Sequence, residues 1–81
     1  MQIQIYSKPN CIWCDRAKKL LSSKNFNYTE RCIGTDLTKE QFKALFPDKY
    51  TVPQIIIDGN LIGGYTELEE YFDGGYGEQG F

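Results

Sequence analysis

Two of the three cysteines in this 81-residue chain, Cys11 and Cys14, are separated by only two residues. Such a pair can bind a metal, form a structural disulfide, or exchange electrons with other thiols and disulfides. A structural zinc site needs four ligands, and the chain has neither a histidine nor a second close cysteine pair. A disulfide between these cysteines closes too short a loop to stabilise the fold appreciably. The pair therefore favours thiol–disulfide exchange, and no metal site is predicted.

The position of the pair indicates that its two sulfurs differ in reactivity. Apolar residues follow Cys11 at helical spacing, so a helix should begin there, with Cys11 at its N-terminus. Backbone N–H groups and the helix dipole stabilise a thiolate at that position, and Lys8 adds a positive charge nearby. Cys14 falls on the apolar face of the same helix. We therefore expect Cys11 to attack a substrate disulfide and Cys14 to resolve the mixed disulfide that results.

The elements that must position these cysteines alternate along the chain in the order β-α-β-α-β-β-α. The first two strands should be parallel, and the last two should form an antiparallel hairpin around a type I′ turn at Asp58-Gly59. The predicted fold class is α/β, with one mixed four-stranded sheet flanked by three helices on its two faces. The predicted strands cover residues 1–6, 26–32, 54–57 and 60–62, and the predicted helices cover residues 11–23, 38–46 and 66–72.

Capping boxes predict where the second and third helices begin. In this pattern the side chain of a Ser or Thr accepts a hydrogen bond from the backbone N–H of a Glu or Gln three residues later. The Glu or Gln side chain in turn accepts one from the backbone N–H of the Ser or Thr. Thr38 with Gln41 fits the pattern, and so does Thr66 with Glu69. We therefore expect the third helix to be capped by Thr66.

Composition and charge exclude several classes of function. A net charge of −2, with both signs interspersed, predicts no nucleic-acid-binding surface. No apolar run approaches the ~20 residues of a membrane span, and the N-terminus lacks the hydrophobic stretch of a signal peptide. A reducing, cytoplasmic location is expected, where close cysteine pairs are seldom structural. We expect one domain over residues 1–72 and a flexible, glycine-rich tail over residues 73–81.

Three segments resemble the signature segments of the glutaredoxins, and the resemblance covers residues 1–72. They are SKPNCIWC at 7–14, TVPQIII at 51–57 and IGGYTEL at 62–68. Their order and spacing make the resemblance specific. It implies a thioredoxin-like fold and a glutathione-dependent thiol–disulfide oxidoreductase that reduces glutathione mixed disulfides and protein disulfides. It also implies catalytic roles for Cys11 and Cys14.

The resemblance implies a glutathione site around the cysteines. Val52 would offer backbone hydrogen bonds to the cysteine moiety of glutathione, beside a cis peptide bond to Pro53. Lys8 would meet the glycine carboxylate, and the start of the third helix would bind the γ-glutamyl carboxylate. Gln41 and Lys49 are further candidates for this site. The implied glutathione-binding residues are Lys8, Trp13, Thr51, Val52, Pro53, Gly64, Tyr65 and Thr66.

Two positions depart from the usual glutaredoxin pattern. Ile12 stands where dithiol members usually have proline, which should alter the hydrogen bonding and redox poise of Cys11. Thr66 stands where aspartate is common, so recognition of the glutathione amino group loses a charge. Elsewhere, Cys32 lies on a predicted strand and is expected to be a small apolar residue without a catalytic role.

Three interpretations of the activity stay open at this point. The first is a monomeric glutaredoxin, with glutathione as reductant and disulfide-containing proteins as substrates, ribonucleotide reductase among the candidates by family analogy. The second is a thioredoxin-like reductase that a flavoenzyme recycles without glutathione. The third is a carrier of a [2Fe-2S] cluster held between two subunits by Cys11 and glutathione, which the absence of proline at Ile12 permits.

Overall fold

The computed structural model describes residues 1–75 and contains every predicted helix and strand in the predicted order. Residues 76–81, which make up most of the predicted tail, lie outside the described residues. The strands are β1 (Ile3–Ser7), β2 (Thr29–Cys32), β3 (Gln54–Ile57) and β4 (Asn60–Gly63). The helices are α1 (Ile12–Ser23), α2 (Lys39–Leu45) and α3 (Tyr65–Glu70), and a π-helical turn follows at Tyr71–Gly75.

The four strands form one mixed sheet in the order β2-β1-β3-β4. β1 pairs with β2 in parallel, and it pairs with β3 antiparallel on its other edge. β3 and β4 form the predicted antiparallel hairpin, and Asp58 and Gly59 both have the positive φ angles that a type I′ turn requires. The topology predicted from the sequence is confirmed.

Helices pack on both faces of this sheet because successive side chains of a strand point to opposite sides. On one face, Ile5 of β1 and Ile55 of β3 pack with Ala17 and Leu21 of α1 and with Leu68 of α3. The opposite face is covered by α2 and the chain around it. Its buried residues are Tyr6, Leu37, Phe42 and Phe46. The central strands β1 and β3 are thus covered on both sides. This packing holds the end of β1, and with it the loop that leads to Cys11, in a fixed position.

The two predicted capping boxes have different outcomes. Thr38 and Gln41 exchange the predicted pair of hydrogen bonds, at 2.8 and 3.0 Å, and α2 begins at the next residue. The box of Thr66 with Glu69 is wrong, because α3 begins one residue before Thr66. Its N-cap is Gly64, whose backbone N–H donates to Glu67 Oε1 at 2.9 Å. A carboxylate in the first turn also interacts favourably with the helix dipole.

None of the helices within residues 1–75 is long and apolar enough to cross a membrane.

Candidate active site

Cys11 is the N-cap residue of α1, so its sulfur faces the unpaired backbone N–H groups of the first helical turn. Asn10, with φ 58°, turns the chain out of the loop after β1, and Cys11 itself is extended. The backbone N–H of Cys14 points at Cys11 Sγ across 3.2 Å. The sulfur thus occupies the place of the oxygen acceptor at an ordinary N-cap. A negative charge on Cys11 Sγ would be stabilised by this N–H and by the helix dipole.

The two cysteines are joined in a disulfide, and their burial differs. Cys11 is 8% exposed, whereas Cys14 is only 1% exposed. Cys14 shares its helix face with Ala17 and Leu21, which pack into the core. A reactant can therefore reach Cys11 more readily than Cys14, and the attacking and resolving roles of the two cysteines stay a prediction.

The loop before β3 approaches Cys11 from the other side. The Val52–Pro53 peptide bond is cis, as the resemblance implied, and the Val52 carbonyl oxygen lies 3.8 Å from Cys11 Sγ. The buried amide of Gln54 anchors this loop, because its Nε2 donates to the Thr51 carbonyl at 2.9 Å. The backbone of residues 51–53 is thereby held beside the sulfur.

A groove of about 590 Å³ opens beside Cys11 on the side of α2, and we call it the lysine groove. Its lining includes the aromatic ring of Tyr50 and four lysine side chains. These are Lys8 from the loop after β1, Lys39 and Lys43 from α2, and Lys49 from the loop before β3. The groove has room for part of a peptide-sized ligand and would favour an anionic one.

A second groove, of about 340 Å³, lies on the side of α3, and we call it the α3 groove. Pro53, Gly64 and Thr66 line it, and Glu67 contributes its side chain. Trp13, Thr51 and Val52 line both grooves, so the two meet beside Cys11. A ligand that extends through both grooves would therefore pass beside Cys11.

Trp13 forms one wall of this junction and is held by two neighbours. Its ring lies 5.5 Å from the ring of Tyr65, and Arg16 Cζ lies 4.8 Å from its ring centroid. The Tyr65 hydroxyl donates to Glu69 at 3.3 Å. Partial burial raises the pKa of Tyr65, and the Glu69 carboxylate raises it further. Trp13 and Tyr65 thus join the start of α1 to the start of α3.

The structure brings the predicted site residues together around Cys11. All eight of the implied glutathione-binding residues line the lysine groove, the α3 groove or both. Lys49 lines the lysine groove as well. Gln41 does not reach either groove, because its side chain is used in the capping box and faces a separate cavity with Arg31 and Asp36. Which of these residues contact glutathione stays a prediction.

Lys39, Lys43 and Tyr50 line the lysine groove but are not among the site residues predicted from the sequence. The sequence could have indicated the two lysines, because residues four apart on a predicted helix lie on the same face. For Tyr50 the sequence offers no signal, because its position depends on the path of the loop between α2 and β3.

Metal binding has little support from the side chains present. Within residues 1–75, no three or more His, Cys, Asp or Glu side chains are grouped so that they could hold a metal ion. The described residues of one subunit therefore do not by themselves fit a [2Fe-2S] cluster. The cluster hypothesis stays a prediction that depends on a second subunit and on glutathione.

Comparisons with known proteins agree with this geometry. The family model described as Glutaredoxin matches residues 3–62. Glutaredoxin 3 of Escherichia coli is 41% identical over 66 residues, which are 82% of this chain and 80% of that protein. The hybrid peroxiredoxin hyPrx5 of Haemophilus influenzae is 41% identical over 70 residues, which are 86% of this chain. This chain spans only 29% of that longer protein.

Solved structures give the same result for the fold. Glutaredoxin 1 from Francisella tularensis, complexed with cacodylate, superposes with a TM-score of 0.76 at 30% identity, covering 89% of this chain and 92% of that one. A buckwheat glutaredoxin–glutathione complex superposes with a TM-score of 0.66 at 27% identity, covering 88% and 68%. The predicted thioredoxin-like fold is confirmed.

Proposed function

This chain belongs to the glutaredoxin family, and on that premise we propose that it reduces glutathione mixed disulfides and protein disulfides with glutathione as the reductant. One observation carries the proposal. The Cys11–Cys14 pair lies where two grooves meet, and the more exposed sulfur is the one at the helix N-terminus. This arrangement suits a thiol that attacks the disulfide of a ligand bound in the grooves.

The proposed reaction starts from the dithiol form of the pair. The Cys11 thiolate attacks one sulfur of the substrate disulfide, so that a mixed disulfide forms and a substrate thiolate leaves. The Cys14 thiol then loses its proton and attacks Cys11 Sγ, which releases the second substrate thiolate and leaves the Cys11–Cys14 disulfide. Two molecules of glutathione restore the dithiol and become glutathione disulfide. Each cycle thus transfers two electrons to the substrate.

Glutathione has chemical groups that match both grooves. It is a small anionic peptide, so its glycine carboxylate would pair with Lys8 in the lysine groove. Its γ-glutamyl end would lie in the α3 groove, where the Tyr65 and Thr66 N–H groups begin α3. The cysteine moiety would then lie against Val52, beside Cys11 Sγ. The buckwheat relative described above, a glutaredoxin–glutathione complex, supports this choice of ligand.

The thioredoxin-like alternative uses the same two cysteines but does not involve glutathione. A protein that a flavoenzyme recycles needs no site for glutathione, whereas here the implied glutathione-binding residues surround Cys11. We therefore favour glutathione as the reductant. We infer a reducing, cytoplasmic setting, because the cycle needs the dithiol form. Ribonucleotide reductase stays a candidate substrate by family analogy.

Two serine substitutions test the mechanism. Cys11→Ser should abolish all activity, because serine is not appreciably ionised near neutral pH and forms no mixed disulfide. Cys14→Ser should retain activity on a small glutathione mixed disulfide, since a second glutathione can release the one bound to Cys11. The same variant should lose most of its activity on a protein disulfide, which needs the resolving thiol. Turnover of both substrates is measured with glutathione and its reductase as the supply of electrons.

The choice of reductant provides the control. The wild-type disulfide should be reduced by glutathione with glutathione reductase and not by a thioredoxin reductase. Reduction by the flavoenzyme alone would support the thioredoxin-like alternative. Loss of activity on glutathione mixed disulfides in Cys14→Ser would contradict the division of roles.

A further inference from the structure

The lysine groove concentrates positive charge in a chain that is acidic overall. The net charge is −2, yet four of the nine Lys and Arg residues line this one groove. Lys39 is the first residue of α2, and Lys43 lies one turn further along the same face. Lys49 follows in the loop that leads to the Val52–Pro53 bond. The charge therefore extends from α2 to the backbone beside Cys11.

The protein itself does not neutralise these lysines. No Asp or Glu side chain lines the lysine groove, and none of its four lysines forms an ion pair within the part of the chain that the structure describes. Lys18, by contrast, pairs with both Asp15 and Glu30. Like charges at positions four apart on a helix, as in Lys39 and Lys43, repel each other and destabilise the helix. An anionic ligand would relieve this repulsion.

Glutathione alone does not account for so much charge. Its glycine end carries one carboxylate, for which Lys8 suffices, and three further lysines remain. The rim also has large apolar side chains, with Ile12 59% exposed and Tyr50 82% exposed. Lys43 Nζ lies 5.8 Å from the ring centroid of Tyr50. An exposed aromatic ring beside an exposed aliphatic side chain is typical of a surface that binds polypeptide. The lysines around them would favour an acidic polypeptide.

We propose that Lys39, Lys43 and Lys49, together with Ile12 and Tyr50, bind protein substrates whose reactive disulfide lies in an acidic segment. The inference rests on the proposed function and names a substrate class for the same site. Carboxylates of the segment would pair with the lysines, while the substrate disulfide reaches Cys11 at the end of the groove. Such charge pairing raises the rate of encounter more than it strengthens the final complex.

Two synthetic peptides test this preference. Each contains one intramolecular disulfide, and they differ only in that four Asp residues around it in one peptide are Asn in the other. With the full chain and a fixed glutathione concentration, we expect kcat/KM to be about tenfold higher for the Asp peptide at low salt. The advantage should shrink severalfold in about 0.5 M salt, because surface charges are then screened. The ratio between peptides cancels the glutathione step that they share.

Charge-matched variants locate the preference. Lys43→Gln with Lys49→Gln should lower the Asp-to-Asn ratio about fivefold, whereas arginine at both positions should keep it. Lys19→Gln with Lys24→Gln removes the same charge away from the lysine groove and should leave the ratio unchanged. Equal loss in the two glutamine variants would mean a general effect of net charge and would overturn the inference.

The remaining outcomes separate this inference from the proposed function. If both peptides are reduced at equal rates, the docking proposal is wrong and the proposed function stands. If neither peptide nor a small glutathione mixed disulfide is reduced, the proposed function fails, and the inference fails with it.

Discussion

A single backbone N–H distinguishes the two sulfurs at the residue scale. Cys11 Sγ receives the N–H of Cys14 at 3.2 Å, so the helix stabilises charge on the first cysteine with the backbone of the second. Cys14 Sγ, buried against the core, lacks comparable access to solvent. The same turn of helix thus would stabilise a thiolate on Cys11 and keeps Cys14 within bonding distance of it. Spacing of two intervening residues is what allows both effects.

Cys32 gives the first prediction at this scale. It ends β2 and is only half-buried, and its sulfur lies 3.7 Å from the carbonyl oxygen of the next residue. Because it lines neither groove, Cys32→Ser should leave turnover of a glutathione mixed disulfide within about twofold of wild type. Turnover and the free energy of unfolding are measured together. A tenfold loss of turnover in a variant that is as stable as wild type would contradict the prediction.

Sequence alone predicted the cysteines and their surroundings but not the lysines of α2. Cys11, Val52 and the start of α3 belong to recognisable segments, because local backbone geometry there depends on a few specific residues. Lys39 and Lys43 are ordinary surface residues in the sequence. They become part of the site only because α2 packs across the sheet beside the first turn of α1, which is a tertiary event. The sequence predicts Thr66 as the N-cap of α3, but the N-cap is Gly64. Two acidic residues, Glu67 and Glu69, each stand three residues after a possible N-cap, and the structure uses Glu67.

At the scale of elements, periodicity predicted each helix and strand but not every boundary. β2 begins at Thr29, although the apolar pattern starts at Phe26. Phe26 and Tyr28 do pack against the core, but they precede the strand pairing with β1. Apolar spacing reports burial, whereas a strand boundary is set by backbone hydrogen bonds. The two differ wherever a buried segment enters a sheet from a loop.

Gln54 gives the prediction at this scale, because it connects β3 to the loop beside Cys11. It is 4% exposed, and its Oε1 has no hydrogen-bond partner among residues 1–75. Gln54→Leu removes this unpaired oxygen together with the bond to the Thr51 carbonyl, so stability should change by less than about 1 kcal/mol. The freed loop should raise KM for a glutathione mixed disulfide severalfold at nearly constant kcat. Steady-state kinetics and denaturant unfolding measure the two effects.

Ile56 provides the matched control on the same face of β3. Ile56→Val should cost about 0.5–1.5 kcal/mol of stability and leave KM unchanged. If Gln54→Leu instead lowers stability by more than the valine variant without changing KM, the amide has only a structural role.

At the scale of the whole molecule, one polar network joins the edge strand β2 to α1, the helix that Cys11 caps and that contains Cys14. Glu30 of β2 accepts a hydrogen bond from the buried Ser7 hydroxyl at 2.6 Å and one from Lys18 of α1 at 2.9 Å. Lys18 also lies 3.6 Å from Asp15. Among the described strands β2 pairs with β1 alone, so this network supplies a second attachment of β2 to the rest of the domain.

The pH dependence of stability should reveal this network. The Ser7 hydroxyl, and then Lys18, hold the pKa of Glu30 below its ordinary value against the opposing effect of burial. A depressed carboxyl pKa contributes stability that is present above the unfolded value, about 4.3, and is lost as pH falls through the folded value. The bond to Glu30 likewise raises the pKa of Lys18, although burial lowers it. That contribution is present below the unfolded value, about 10.4, and is lost as pH rises through the folded one.

At pH values between about 4.3 and about 10.4, Glu30→Gln should therefore destabilise the protein. The expected loss is only about 1 kcal/mol, because both Glu30 and Lys18 are partly exposed and solvent weakens their interaction. The difference in unfolding free energy between wild type and Glu30→Gln should shrink towards zero as the pH is lowered from about 6 to about 3. Denaturant unfolding at several pH values measures it. Glu70→Gln, at an exposed carboxylate of α3, should show no such difference at any pH. A Glu30→Gln difference that persists unchanged at about pH 3 would mean that shape and packing, and not charge, attach β2 to α1.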